Sequence, residues 1–180
     1  MELTLPKTIR ETSDAVCARL MSLLHLQDGM SVLEPSAGEG KIVKYIEENY
    51  SFENVRYDMV ELNKVKVDHM ISLGRPNWNV VRGDFLNTSL PQFNYDRIVA
   101  CPPFKNNEDT VHIMKMYRLL KRKGIIVSLT SPRWVVDNEP HQVEFRSWLS
   151  SKEYTFRMLP DNSFVEKHRT VPTAILQIFK

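Results

Sequence analysis

Four short apolar runs constrain this chain more than anything else in it: Met30–Leu33, Val55–Val60, Trp78–Arg82 and Tyr95–Ala100. Each is too short for a buried helix and rich in β-branched or aromatic side chains, so each reads as a strand. Helical patterns separate them. The predicted elements are helix 14–26, strand 31–34, helix 41–49, strand 54–60, helix 63–73, strands 78–82 and 96–100, helix 109–121, strand 124–130, helix 139–150, and strands 154–159 and 172–179. Such alternation specifies an α/β fold, a mostly parallel sheet with helices on both faces. Ligands bind such sheets beyond the carboxyl ends of the strands. The four runs end at Glu34, Glu61, Asp84 and Cys101, so these residues are expected on one rim.

The first run leads into Glu34-Pro-Ser-Ala-Gly-Glu-Gly40 and then a helix. Glycines let the backbone turn tightly and approach a ligand. The helix N-terminus adds partial positive charge. A dinucleotide fingerprint would place a third glycine where Val43 stands. Glu34 would also face the pyrophosphate. A carboxylate there repels phosphate and attracts an ammonium or a sulfonium. S-adenosylmethionine carries both cations, so the turn favours that cofactor over NAD. Glu61 follows Gly40 at the ~20-residue offset where an acid reaches ribose hydroxyls. Asp84 is placed to accept an adenine amino group, with Phe85 packing on the ring. Gly83-Asp84 reads equally as a plain turn.

Cys101-Pro102-Pro103-Phe104 ends the fourth run. Two prolines cannot continue a strand, because neither offers an N–H and both fix φ. They make a rigid turn with outward carbonyls, followed at once by an aromatic ring. A rigid carbonyl beside a flat ring suits a planar amine.

Together these segments resemble the class I S-adenosylmethionine-dependent methyltransferases, in order and spacing over nearly the whole chain. The Pro-Pro-aromatic element is similar to that of the amino-methyltransferase branch, best known from DNA N6-adenine enzymes. The resemblance implies a Rossmann-like seven-stranded sheet whose last strand runs antiparallel. It implies that Glu34, Pro35, Ala37, Gly38 and Gly40 hold the methionine part of the cofactor. Glu61 and Leu62 would take the ribose side, Asp84 and Phe85 the adenine, and residues 101–104 the target amine. The branch has Asp, Asn or Ser where this chain has Cys101, a poor acceptor. A methyltransferase-like subunit without turnover is the alternative that this departure leaves open.

Candidate substrate contacts lie on nearby loops. Lys105 follows the tetrapeptide and reads as a phosphate contact or as part of a helix cap. Trp134 reads as a base-stacking ring or as a packed one. In the resembled family an aromatic from the loop before the last strand packs on an extruded base; here that is Phe164. Lys167 and Arg169 follow and are placed to meet a nucleic-acid backbone, unless the loop is simply polar and solvated.

Composition agrees with one cytoplasmic domain over 1–180, with residues 1–28 a helical segment packed on it. No apolar run is long enough to span a bilayer. Two cysteines without a framework fit a reducing compartment. The five histidines show no ligand spacing, so no metal site is expected, and each reads as a surface or loop residue. Lys and Arg number 24 against 22 acids, a net of +2, which is modest for a duplex binder. The cluster Lys115, Arg118 and Lys121–Lys123 reads as a solvated helix end. No separate target-recognition domain is visible, so short loops, a partner subunit or a second copy would supply target choice. DNA is the expected partner; RNA adenine and a protein glutamine amide remain open.

Overall fold

A computed structural model describes residues 12–91, 94–160, 163, 165–166 and 169–180, without the side chains of 165, 166, 169 and 170. Seven strands form one sheet: β1 (Ser31–Glu34), β2 (Arg56–Glu61), β3 (Trp78–Arg82), β4 (Tyr95–Ala100), β5 (Leu120–Thr130), β6 (Glu153–Met158) and β7 (Ala174–Phe179). Their order is β3-β2-β1-β4-β5-β7-β6. Strands β1 to β5 pair in parallel. β7 runs antiparallel to both β5 and β6. The fold is therefore a Rossmann-like, mostly parallel sheet with an antiparallel last strand, as expected. A two-stranded ladder, Val165–Glu166 with Arg169–Thr170, was not anticipated.

The helices are α1 (Asp14–Leu24), α2 (Lys41–Asn49), α3 (Lys64–Ser72), α4 (Glu108–Leu119), α5 (Arg133–Val136) and α6 (Pro140–Leu149). Central strands covered on both faces need apolar residues at every position, and the pleat sends neighbours to opposite sides. Val32 packs with α1 and α2, through Leu20, Ile42 and Ile46. Leu33, one residue on, packs with α4 and α6, through Ile113, Met116 and Phe145. α1 is anchored at its C-terminal end by two sheet residues. Gln177 donates to the Leu23 carbonyl at 2.8 Å, and the buried Arg97 guanidinium holds the His25 carbonyl at 2.9 and 3.1 Å. These bonds satisfy carbonyls that a helix end leaves without partners.

The α4–β5 boundary differs from expectation. The helix stops at Leu119 rather than 121, because Leu120 already pairs with Tyr95 of β4. The register then shifts before Arg97 meets Ile125, and Lys123 takes φ 63° within the irregularity. Among the described residues no helix is long and apolar enough to cross a membrane.

Candidate active site

Because β1, β2, β3 and β4 are parallel, their carboxyl ends share one rim, and the sequence turns collect there. The 36–40 turn is fastened to β2. Ala37 N–H donates to the Val60 carbonyl at 3.0 Å, and Gly38 N–H to Glu61 Oε2 at 2.8 Å. Gly40 then starts α2 with φ 75°. A Cβ there would lie 3.1 Å from the Met59 methyl and 3.3 Å from both Met70 and Trp78. Only glycine meets both the backbone angle and the space.

A cavity of about 370 Å³ opens on this rim. Gly38, Glu61, Leu62, Asp84 and Phe85 line one part of it, and Cys101, Pro102, Pro103, Phe104 and Lys105 the other. A smaller cavity of about 50 Å³ adjoins it, bordered by Glu34, Ala37, Lys41 and Thr12. Ser36, Gly38, Lys66 and Cys101 border both. Residues assigned from the sequence to the cofactor and to the target amine thus share one space. Pro35 and Gly40 border neither cavity; Gly40 shapes the turn.

Glu34 is 2% exposed, and its Oε2 has no hydrogen-bond partner among the described residues. Burial pushes its carboxyl well above the usual range; the Val43 backbone N–H opposes this, and the Glu61 charge adds to it. A buried acid with an unsatisfied oxygen is costly unless a cation joins it. An ammonium at the cavity wall would satisfy that oxygen. The residues present therefore fit the amino-acid end of S-adenosylmethionine.

Glu61 accepts Gly38 N–H on one oxygen and Asn63 N–H, at 2.8 Å, on the other. Each carboxylate oxygen retains acceptor capacity on the cavity side. Asp84 builds its own turn, accepting from Leu86 N–H at 2.9 Å and from the Asn87 amide at 2.6 Å. Phe85 is buried beneath it. The turn and the binding readings of Asp84 are compatible, since the residue also lines the cavity.

Three side chains at this site were not anticipated. His112 is buried rather than at the surface. Its ring tilts against Phe85 with centroids 5.1 Å apart, and Nδ1 lies 3.4 Å from Ser36 Oγ. Burial holds its pKa down to about 4, with the Asp84 charge opposing. Lys115 is not part of a solvated helix end. Its ammonium turns toward the loop after Asp84, as described below. Thr12 borders the Glu34 cavity, while Ser13 caps α1. Thr12 and Lys115 carry no sequence signal. His112 lies one α-helical turn past Glu108, and only the fold turns it inward.

The expected substrate contacts divide. Lys105 is exposed at the cavity mouth, in a 3-10 turn (Lys105–Asn107) before α4. Asn107 occupies the α4 N-cap position with φ 60°, and its side chain meets His141 at 2.5 Å rather than capping the helix. Trp134 is a packed residue, not a stacking platform. It is 5% exposed, with Phe145 and Phe156 edge-on at 5.2 and 5.1 Å, and Nε1 donates to Thr130 Oγ1 at 3.1 Å. Phe164 and Lys167 lie outside the described residues. Arg169 is described only as backbone in the small ladder. Lys121, from the same charge cluster as Lys115, pairs with Asp96 at 2.9 Å near the opposite rim. Among the described residues no group of three His, Cys, Asp or Glu side chains is arranged to hold a metal ion.

Solved structures share this architecture. The chain is similar to the methyltransferase subunit of a type I restriction-modification system from Streptococcus thermophilus, with TM-score 0.79 and 18% identity, covering 94% of this chain and 44% of that one. It is similar to precorrin-6y C5,15-methyltransferase from Geobacter metallireducens, with TM-score 0.67 and 19% identity, covering 98% and 93%. It is also similar to a dimethyladenosine transferase from Plasmodium falciparum, with TM-score 0.69 and 14% identity, covering 93% and 62%. The fold is the one that these methyltransferases share. The chain spans less than half of the restriction-system subunit. No family model matches the sequence, and no curated protein does.

Proposed function

We propose that this protein methylates an exocyclic amino group, with adenine N6 in DNA as the acceptor and S-adenosylmethionine as the donor. One observation carries the reading. Cys101, Pro102, Pro103 and Phe104 line the same cavity as Gly38, Glu61 and Asp84. A methyl donor and a flat amine held by these two sets would be neighbours. The restriction-system subunit and the dimethyladenosine transferase are named for related chemistry, which supports a nucleic-acid acceptor.

When bound, the cofactor supplies an electrophilic methyl group on its sulfonium. The chain's residues do the rest by placement. Glu34 receives the ammonium, Glu61 the ribose hydroxyls, and Asp84 the adenine amino group. The Pro102 carbonyl accepts one N–H of the target amine, which directs the nitrogen lone pair toward the methyl carbon. Phe104 stacks on the target base and fixes its plane. Orientation of this kind supplies much of the acceleration in a bimolecular transfer. The amine nitrogen would form the new N–C bond as the S–CH3 bond breaks, the electron pair staying on sulfur to leave a neutral thioether, and the amine proton then leaves to solvent. A duplex target must present its base outside the stack.

The test is methyl transfer to duplex DNA, single-stranded DNA, ribosomal RNA and total protein, with products identified by mass spectrometry. N6-methyladenine in DNA is the expected product. Its appearance in RNA alone, or methylglutamine in protein, would overturn the acceptor assignment. Phe104→Ala should lower the rate about 10- to 100-fold, the size of a lost base–aromatic stack. Cys101→Asn should raise it by up to about tenfold, since Asn adds one hydrogen bond to the amine.

A further inference from the structure

We propose that Lys66 receives the carboxylate of the cofactor's amino-acid end and so makes the site selective for ligands that carry that group. The inference rests on the cofactor reading above. Lys66 lies in the first turn of α3, just beyond the carboxyl end of β2. Its side chain borders both the large and the small cavity. A Cβ built on Gly38 would sit 3.9 Å from Lys66 Nζ, so the ammonium stands over the glycine turn. It therefore reaches from one helix across to the loop that precedes another.

At this corner a buried acid and a lysine face the small cavity. Glu34, with its unsatisfied buried oxygen, is a place for the ammonium of an amino acid and repels its carboxylate. The carboxylate needs a donor on the opposite wall. Among the described residues two lysines border the small cavity. Lys41 is already engaged by Asp14 at 2.5 Å. The Lys66 ammonium forms no hydrogen bond or ion pair with any described residue. Glu61, which lines the same cavity, forms no ion pair with it, and its two oxygens accept the Gly38 and Asn63 N–H groups. Nor is the α3 N-terminus free to bind an anion. The Asn63 side chain accepts the Val65 and Lys66 N–H groups at 2.9 and 3.3 Å. Among the described residues the Lys66 ammonium is thus the available cation at the junction of the two cavities.

The probe is S-adenosylmethionine against its decarboxylated form, which keeps the sulfonium, the amine and the adenosine. Affinities are measured by calorimetry on the unmodified protein, K66M and K66R, with no acceptor present. The unmodified protein should prefer the carboxylated ligand about tenfold or more, as expected for a charge-assisted contact. K66M should bind the carboxylated ligand about tenfold more weakly and the decarboxylated one within about twofold of the unmodified protein, so the preference collapses. K66R should retain most of it. Equal losses for both ligands, or no loss for either, would overturn the assignment and leave the cofactor site standing. If the unmodified protein binds neither ligand, the cofactor reading itself falls, and this assignment with it.

Discussion

Lys115 holds Phe85 from two directions. Its ammonium donates to the Phe85 carbonyl at 2.6 Å and lies 4.9 Å from the centre of the Phe85 ring. The same ammonium donates to the Leu86 and Thr88 carbonyls at 3.1 and 2.7 Å. One lysine on α4 thereby fixes the loop that carries Asp84 and Phe85 in the cavity wall. Its three protons meet three carbonyls that have left the β3 ladder.

Lys115→Met should release that loop. The carbonyls lose a charged partner, and stability should fall by about 1–3 kcal/mol in urea titrations. Affinity for adenosine, which senses only the adenine half of the site, should fall about tenfold by calorimetry. Lys115→Arg keeps the charge but not the compact geometry and should recover only part of the loss.

Glu34 should make cofactor binding release a proton. Burial raises its carboxyl well above the ordinary range, so the folded protein holds a proton that the unfolded chain gives up. That contribution to stability is complete below the unfolded carboxyl pKa and is lost as pH rises through the folded one. A cation beside the carboxyl reverses the preference. Calorimetry in two buffers of different ionisation enthalpy, repeated across pH, should show proton release for the unmodified protein and none for Glu34→Gln. The variant should also resist denaturant better at alkaline pH while binding the cofactor more weakly.

His112 should have the opposite pH signature. Its folded pKa, about 4, lies below the ordinary 6.5, so its stability contribution is present above pH 6.5 and is lost as pH falls toward 4. The loss is at most about 3 kcal/mol. His112→Phe, which retains an aromatic contact with Phe85, should flatten the dependence. Thermal unfolding of both proteins between pH 7 and 4.5, compared as a difference, isolates this residue from Glu34.

Trp134 should matter for stability and not for substrate. Trp134→Ala should cost about 3–5 kcal/mol, because it empties a site between Phe145 and Phe156. Trp134→Phe loses the bond to Thr130, about 1 kcal/mol, and should leave the KM for nucleic acid unchanged.

What the sequence disclosed was local. The Glu34–Gly40 turn depends on positive φ at Gly38 and Gly40, 58° and 75°, and glycine announces that requirement. The double proline after β4 fixes its own geometry. The common rim follows from strand direction alone, which is why Glu61, Asp84 and Cys101 could be grouped without coordinates. Residues whose role depends on packing were not readable. Lys115 and Lys121 belong to one run of cations, yet one binds a loop near the site and the other an aspartate at the far rim. His112 differs from a surface histidine only in the side of α4 that faces the sheet. Trp134 offered two roles in the sequence, and the pair of rings around it decides for packing.

The position of β7 governs how the molecule can be assembled. It follows β6 in the chain yet lies between β5 and β6, pairing with both. Until residues 174–179 are synthesised, β6 has no rung to join and β5 keeps a row of unsatisfied peptide groups on one side. Emergence from the ribosome and completion of the sheet therefore run in different orders, and a nascent chain halted before Ala174 would present a sticky apolar edge to chaperones or to its neighbours.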